Sequence, residues 1–153
     1  IRQDNSVIGF VHPDYDGALE SIGKNNTSKN DIMIVLGDAG INYYLDNKDY
    51  TLKNHLKELP ITLFCIHGNH EERPYNIAGY KSKVFNNGIV YYEEKYPNIL
   101  FAKDGEVYDF NGLSTLVIGG AYSVDKYYRL ALGYNWYESE HQMKKLKMVL
   151  EKL

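Results

Sequence analysis

Two short apolar runs, each ending in glycine and a ligand-type side chain, constrain this chain more than any other feature. Ile32-Met33-Ile34-Val35-Leu36 runs into Gly37-Asp38, and Ile61-Thr62-Leu63-Phe64-Cys65-Ile66 runs through His67 into Gly68-Asn69-His70-Glu71. Apolar runs of this length, bounded by turn residues, read as strands buried on both faces. Their polar ends are then delivered to the carboxyl edge of a sheet, where open α/β folds place their sites. Two such ends in one short chain imply one shared site.

The flanking segments supply crossovers. Ser6-Val7-Ile8-Gly9-Phe10-Val11 is a further strand-like run. From Asp14 to Ile22, Ala18, Leu19 and Ile22 stand at helical spacing behind a possible Asp14 N-cap. Leu52, His55 and Leu56 share one side of a short helix that must end before Pro60, because the residue preceding proline leaves the α region. The order β-α-β-α-β through Ile66 predicts right-handed crossovers and a mostly parallel sheet.

The second half reads differently. Gly88–Tyr92, Ile99–Ala102, Glu106–Phe110 and Ser114–Ile118 are short β-prone runs, and Asp104-Gly105 and Asn111-Gly112 are hairpin signals, so an antiparallel meander is expected. Residues 72–87 form the longest irregular stretch. Ser123 is a candidate cap for a helix holding Tyr127, Leu130 and Ala131. Ser139 to Gln142 makes a capping box ahead of Met143, Leu146, Val149, Leu150 and Leu153, with His141 solvated in the first turn. That apolar stripe is barely complete at Leu153, so the expected domain continues.

With 153 residues, 44% of them apolar, the chain builds one core and is expected to be a single domain over 1–153. A net charge of −3 gives no electrostatic footprint for nucleic acid or an anionic membrane. The tyrosine pairs 43/44, 91/92 and 127/128 read as packing and surface residues, since basic residues do not interleave with most of them. Cys65, the only cysteine, lies in an apolar run and reads as a small buried hydrophobe in a reducing compartment. No apolar stretch reaches the ~20 residues that span a bilayer. The expected location is cytoplasmic.

The residues at the strand ends suit metal chemistry. The Asp38 carboxylate can bridge two divalent ions, the Asn69 amide oxygen is a hard neutral ligand, and His12 offers an imidazole to zinc, manganese or iron. Two metals about 3.5–4 Å apart can clamp a phosphate and activate water, with His70 placed to stabilise charge or protonate a leaving oxygen. Arg73 can reach a phosphate bidentately or pair with Glu71 or Glu72. His67 reads as a packed or loop histidine and His55 as helix surface. Singly, Asp38 and Asn69 could also be mere turn formers.

At these residues the chain resembles the calcineurin-like metallophosphoesterases, whose blocks run D-x-H, G-D-x-x, G-N-H-[DE], a later His and G-H-x-H. Gly37-Asp38-Ala39-Gly40 matches the second block and Gly68-Asn69-His70-Glu71 the third. Residues 119–129, from Gly119-Gly120-Ala121-Tyr122-Ser123 through Arg129, look like a segment of bacterial and phage members. The resemblance implies an α/β fold: a two-sheet sandwich flanked by helices in four αββα layers, with mixed sheets. It also implies two divalent ions (Mn, Fe or Zn) that hydrolyse phosphomonoesters or diesters. Asp38 would bridge the metals, His12 and Asn69 would ligate them, and His70 would be catalytic. A small-molecule or nucleotide phosphoester is the implied substrate. A protein substrate is disfavoured, because Ile41-Asn42-Tyr43 replaces the D-R-G continuation of protein phosphatases.

The departures matter as much. The first block falls on Phe10-Val11-His12, which puts a phenyl ring where the family has a metal-binding Asp; a rival register uses Asp14-Tyr15-Asp16-Gly17. The later His and G-H-x-H have no counterpart before Leu153, so the expected domain is the N-terminal two-thirds of the usual one. Ligand losses of this kind predict impaired activity. Two alternatives stand beside the enzyme: an inactive phosphoesterase-like binding protein, and an interaction module without a metal site.

Overall fold

A computed structural model describes residues 26–120 and 124–137. The expected elements at residues 6–11, 14–22 and 139–153 lie outside these, as do Phe10, His12, Asp14, Asp16, Ser123 and His141.

The two apolar runs form strands β1 (Ile32–Leu36) and β2 (Thr62–Ile66), joined by helix α1 (Asn47–Glu58). Asp46 caps α1 by accepting the Lys48 N–H at 2.8 Å, and the Asp49 carboxylate accepts the N–H groups of Tyr44 and Leu45. These bonds satisfy donors that the first turn and its approach would otherwise leave open. The helix stops at Glu58, ahead of Leu59-Pro60 as the proline requires. The other strands are β3 (Lys81–Phe85), β4 (Gly88–Tyr92), β5 (Ile99–Ala102), β6 (Val107–Phe110) and β7 (Leu113–Leu116), followed by helix α2 (Lys126–Ala131).

One five-stranded sheet has the order β1-β2-β5-β4-β3, and β6 and β7 pair in a second sheet. β1, β2 and β5 run parallel, whereas β4 pairs antiparallel with both β5 and β3. The large sheet is therefore mixed. Its central strands alternate between two cores. Leu63, Cys65, Ile99 and Phe101 face α1 through Leu56, while Phe64, Leu100, Ala102 and Val90 face Tyr108 and Phe110 of the second sheet. Helix, sheet and sheet stack as three of the four expected layers. None of the described helices is long and apolar enough to cross a membrane.

Three details differ from the sequence reading. Residues 72–87 are not irregular throughout, because a 3-10 turn (Pro74–Asn76) and β3 lie within them. β3 is Lys-Ser-Lys-Val-Phe, too polar to read as a strand, and its turn to β4 is Asn86-Asn87, with φ of 48° and 70° in place of an Asn-Gly pair. Asp104-Gly105 is not a hairpin turn: it carries the chain from β5 in one sheet to β6 in the other. Asn111-Gly112 does close the β6–β7 hairpin, with φ of 56° and 86°. In α2 the buried residue is Arg129, while Tyr127 and Leu130 face solvent.

Candidate functional site

The parallel register pairs Leu36 with Ile66, so Gly37-Asp38 and His67-Gly68 leave the sheet side by side. The two loops touch. A Cβ placed on Gly68 would lie 1.9 Å from Asp38 Oδ1 and 2.2 Å from the Asp38 backbone nitrogen, so only glycine permits the approach. Asp38 itself holds φ at 46°, a left-handed conformation that Asp and Asn tolerate better than most residues.

That conformation turns the Asp38 carboxylate onto the second loop. Oδ1 accepts the N–H of Asn69 at 3.0 Å and that of His70 at 3.2 Å, and Oδ2 stands 3.9 Å from His70 Nδ1. The side chains of Asp38 and His70 remain 50% and 44% exposed. Thus Asp38, Asn69 and His70 are brought together at the open sheet edge.

Beneath them lies a buried layer of charge. Glu71 Oε1 accepts the Gly68 N–H at 3.0 Å, and the carboxylate also bonds the Ala39 backbone on the first loop. Burial pushes the Glu71 carboxyl up to about 7, with the Asp38 charge adding to the rise and its two backbone donors and Arg73 opposing it. Arg73 is fully buried, and its Nη1 lies 3.3 Å from Asp104 Oδ2. The guanidinium is turned inward to this pair, not outward as a phosphate contact would require, and not into a close ion pair with Glu71 or Glu72.

The remaining histidines separate as their sequence settings suggest. His67 is buried and stacks on Phe101 with ring centroids 5.5 Å apart, while His55 faces solvent on α1. Cys65 is buried, and burial with the nearby Glu71 charge pushes its thiol well above the usual range, which suits an inert packing residue. A cavity of about 230 Å³ opens at the same edge, between His67, Tyr75, Tyr91 and the Lys103-Asp104 turn. In the sequence Glu71 stands only as the last letter of its motif and Asp104 as a turn former. No local signal joins them, because the link runs through Arg73 in three dimensions.

The calcineurin-like phosphoesterase family model matches residues 7–150. The chain belongs to this family. It is also 30% identical over 102 residues to a Bacillus subtilis (strain 168) protein named uncharacterized metallophosphoesterase YkuE, a stretch covering 61% of this chain and 33% of that protein. The chain therefore spans about a third of the length of this curated relative. No solved structure matches the chain.

Calcineurin-like phosphoesterases generally use divalent metal ions. The donors at the sheet edge fit such an ion in kind: a half-exposed carboxylate on one loop faces an amide-bearing residue on the other, and oxygen donors suit hard cations. In number they are incomplete, since no three His, Cys, Asp or Glu side chains converge among the described residues.

Proposed function

We propose that this chain is the metal-binding part of a phosphoesterase that hydrolyses small-molecule or nucleotide phosphoesters through two divalent ions. Asp38 and Asn69 are the ligands contributed by the two loops, with His12 as a third, and Mn, Fe and Zn are the candidate metals. The observation that carries this reading is the Asp38 carboxylate, fixed by the Asn69 and His70 N–H groups yet open to solvent. When bound, the ions supply charge stabilisation to a phosphoryl group. His70 Nδ1 faces Asp38, which leaves Nε2 to hold a proton for a departing oxygen. The cytoplasm is the proposed location, consistent with one buried cysteine.

Phe10 at the first ligand place favours a second reading: a phosphoesterase-like binding protein with weak metal affinity and little turnover. Mn²⁺-supplemented hydrolysis of an aryl phosphate and its diester, with metal analysis of the purified chain, separates the two. The enzyme reading expects turnover that Asp38→Ala abolishes and Phe10→Asp raises. No turnover in either the native chain or Phe10→Asp overturns it.

A further inference from the structure

Arg73 is the largest fully buried side chain among the described residues. Its cost is high, because a guanidinium taken out of water is tolerated only when it is well paired. Burial lowers its pKa, the Asp104 charge is the strongest opposing influence, and Glu71 and Glu72 act in the same sense from farther off. None of its three nitrogens makes a hydrogen bond of good geometry among the described residues, so the 3.3 Å approach to Asp104 is its principal compensation.

The contacts continue in both directions from that pair and meet. Asp104 Oδ1 accepts the Gly119 N–H at 2.8 Å, and the next residue, Gly120, donates its N–H to the His67 carbonyl at 2.7 Å. On the other side the chain itself runs two residues back from Arg73 to Glu71, whose carboxylate holds the Gly68 N–H. The circuit His67-Gly68, Glu71, Arg73, Asp104, Gly119-Gly120 and back to His67 is closed. Asn69 and His70 are the two residues of the motif that it leaves facing outward. There is little slack: a Cβ on Gly119 would stand 2.6 Å from the His67 carbonyl oxygen.

We infer that Arg73 and Asp104 are positioning residues, which lock the His67–Glu71 loop against the Gly119-Gly120 turn and so fix where Asn69 and His70 stand. The inference rests on the proposed metal-dependent function, and the role it gives both residues is to hold the loop. Its effect reaches the reaction through the loop. Misplaced ligands weaken metal affinity, and supporting partners of ligands are typically worth 10–100-fold.

The test compares the intact chain with Arg73→Lys, which keeps the cation but loses the planar fork, and with Asp104→Asn. Hydrogen exchange is followed at residues 67–71 and, as the reference, in the β3–β4 hairpin; Mn²⁺ affinity is read by electron paramagnetic resonance, and kcat and KM with an aryl phosphate. Each variant is expected to speed exchange at 67–71 about tenfold beyond any change in the hairpin and to weaken Mn²⁺ binding roughly 10–100-fold. Saturating Mn²⁺ should restore kcat with KM unchanged, which a general folding defect would not allow. If Asp104→Asn does not fold, Arg73→Lys decides by the same readouts. Equal exchange changes in loop and hairpin overturn the inference, as does unaltered Mn²⁺ affinity in a native chain that binds the ion. Should the native chain neither bind Mn²⁺ nor hydrolyse phosphoesters, the functional reading falls, and the loop's exchange still decides whether the pair holds it.

Discussion

The two loops at the sheet edge handle charge in opposite ways. The first displays it: Asp38 stands half in water on a left-handed backbone, and one of its oxygens steadies the neighbouring loop. The second hides it, with Glu71 and Arg73 buried beneath a surface of Asn69 and His70. A displayed carboxylate can exchange water for a ligand at modest cost, whereas a buried ion is tolerated only with fixed partners. Under the proposed function, the charge of the first loop is placed to bind and the buried charge of the second to hold the loops in place. Substitutions should therefore separate binding from stability along the same division.

The largest loss of stability is expected from the hidden side. Arg73→Met leaves Asp104 without its cation, and breaking a buried pair by removing one partner costs about 3–5 kcal/mol. Urea unfolding of the metal-free protein measures it. The control is Lys81→Ala, which breaks an ion pair with Glu94 whose side chains are both exposed, and which should not change the transition midpoint. A similar small effect from both substitutions would mean that the buried pair is not a support.

Next in size is the contact between the loops. Gly68→Ala forces a methyl group against the Asp38 backbone and carboxylate, so the loops must part. Overpacking of this kind costs about 1–3 kcal/mol, and more where the backbone cannot shift. Because the clash falls on Asp38 itself, Mn²⁺ affinity should fall together with stability, which isothermal titration beside the unfolding curve would show. This is the one position where display and support are expected to fail together.

How much of this division could be read from the sequence depends on the range of the interactions. Gly37-Asp38 and Gly68-Asn69-His70-Glu71 were visible as strand ends, because a buried parallel strand announces itself by a continuous apolar run and its site residues follow directly. The hairpin turn at Asn111-Gly112 was visible for the same local reason. β3 was not, since Lys81, Ser82 and Lys83 carry no apolar alternation and the strand is held by its register with β4. The inward turn of Arg73 was also hidden. Beside Glu71 and Glu72 it looks like a surface ion-pair residue, and the carboxylate it approaches lies 31 positions away in a turn that seemed to be a hairpin. His12 and Phe10 fall outside the described residues, so their place at the site remains a proposal from the motif.

A smaller effect tests the support from farther away. The Tyr108 hydroxyl accepts the Lys103 N–H at 2.8 Å and donates to the Ile89 carbonyl, which fixes the turn that presents Asp104. Tyr108→Phe should cost ~1–2 kcal/mol at neutral pH. Burial pushes this hydroxyl up to about 12, above the ordinary value near 10. The native state then keeps its proton at pH values where the unfolded chain has released it. That contribution is complete below about pH 10 and is lost as pH rises through about 12. Denaturation curves at steps from pH 9 to 12 should show the native chain losing stability more steeply than Tyr108→Phe. Parallel curves would remove Tyr108 from the support.

The smallest change in stability should belong to the residue with the largest functional consequence. Asp38→Asn keeps a side-chain oxygen for the Asn69 and His70 N–H groups, and Asn accepts a φ of 46° at least as readily as Asp. The altered group is half in water, so no buried charge is left without a partner. Unfolding free energy should move by no more than ~0.5 kcal/mol, as for most exposed substitutions. The anionic oxygen that faces solvent is nevertheless gone, and a neutral amide is a poorer ligand for a divalent ion and cannot balance two of them. Mn²⁺ binding and any phosphoesterase activity should fall by at least about 100-fold in a protein that melts like the native chain. If Asp38→Asn instead unfolds early and binds Mn²⁺ normally, the exposed carboxylate is the support, and the division between the two loops is reversed.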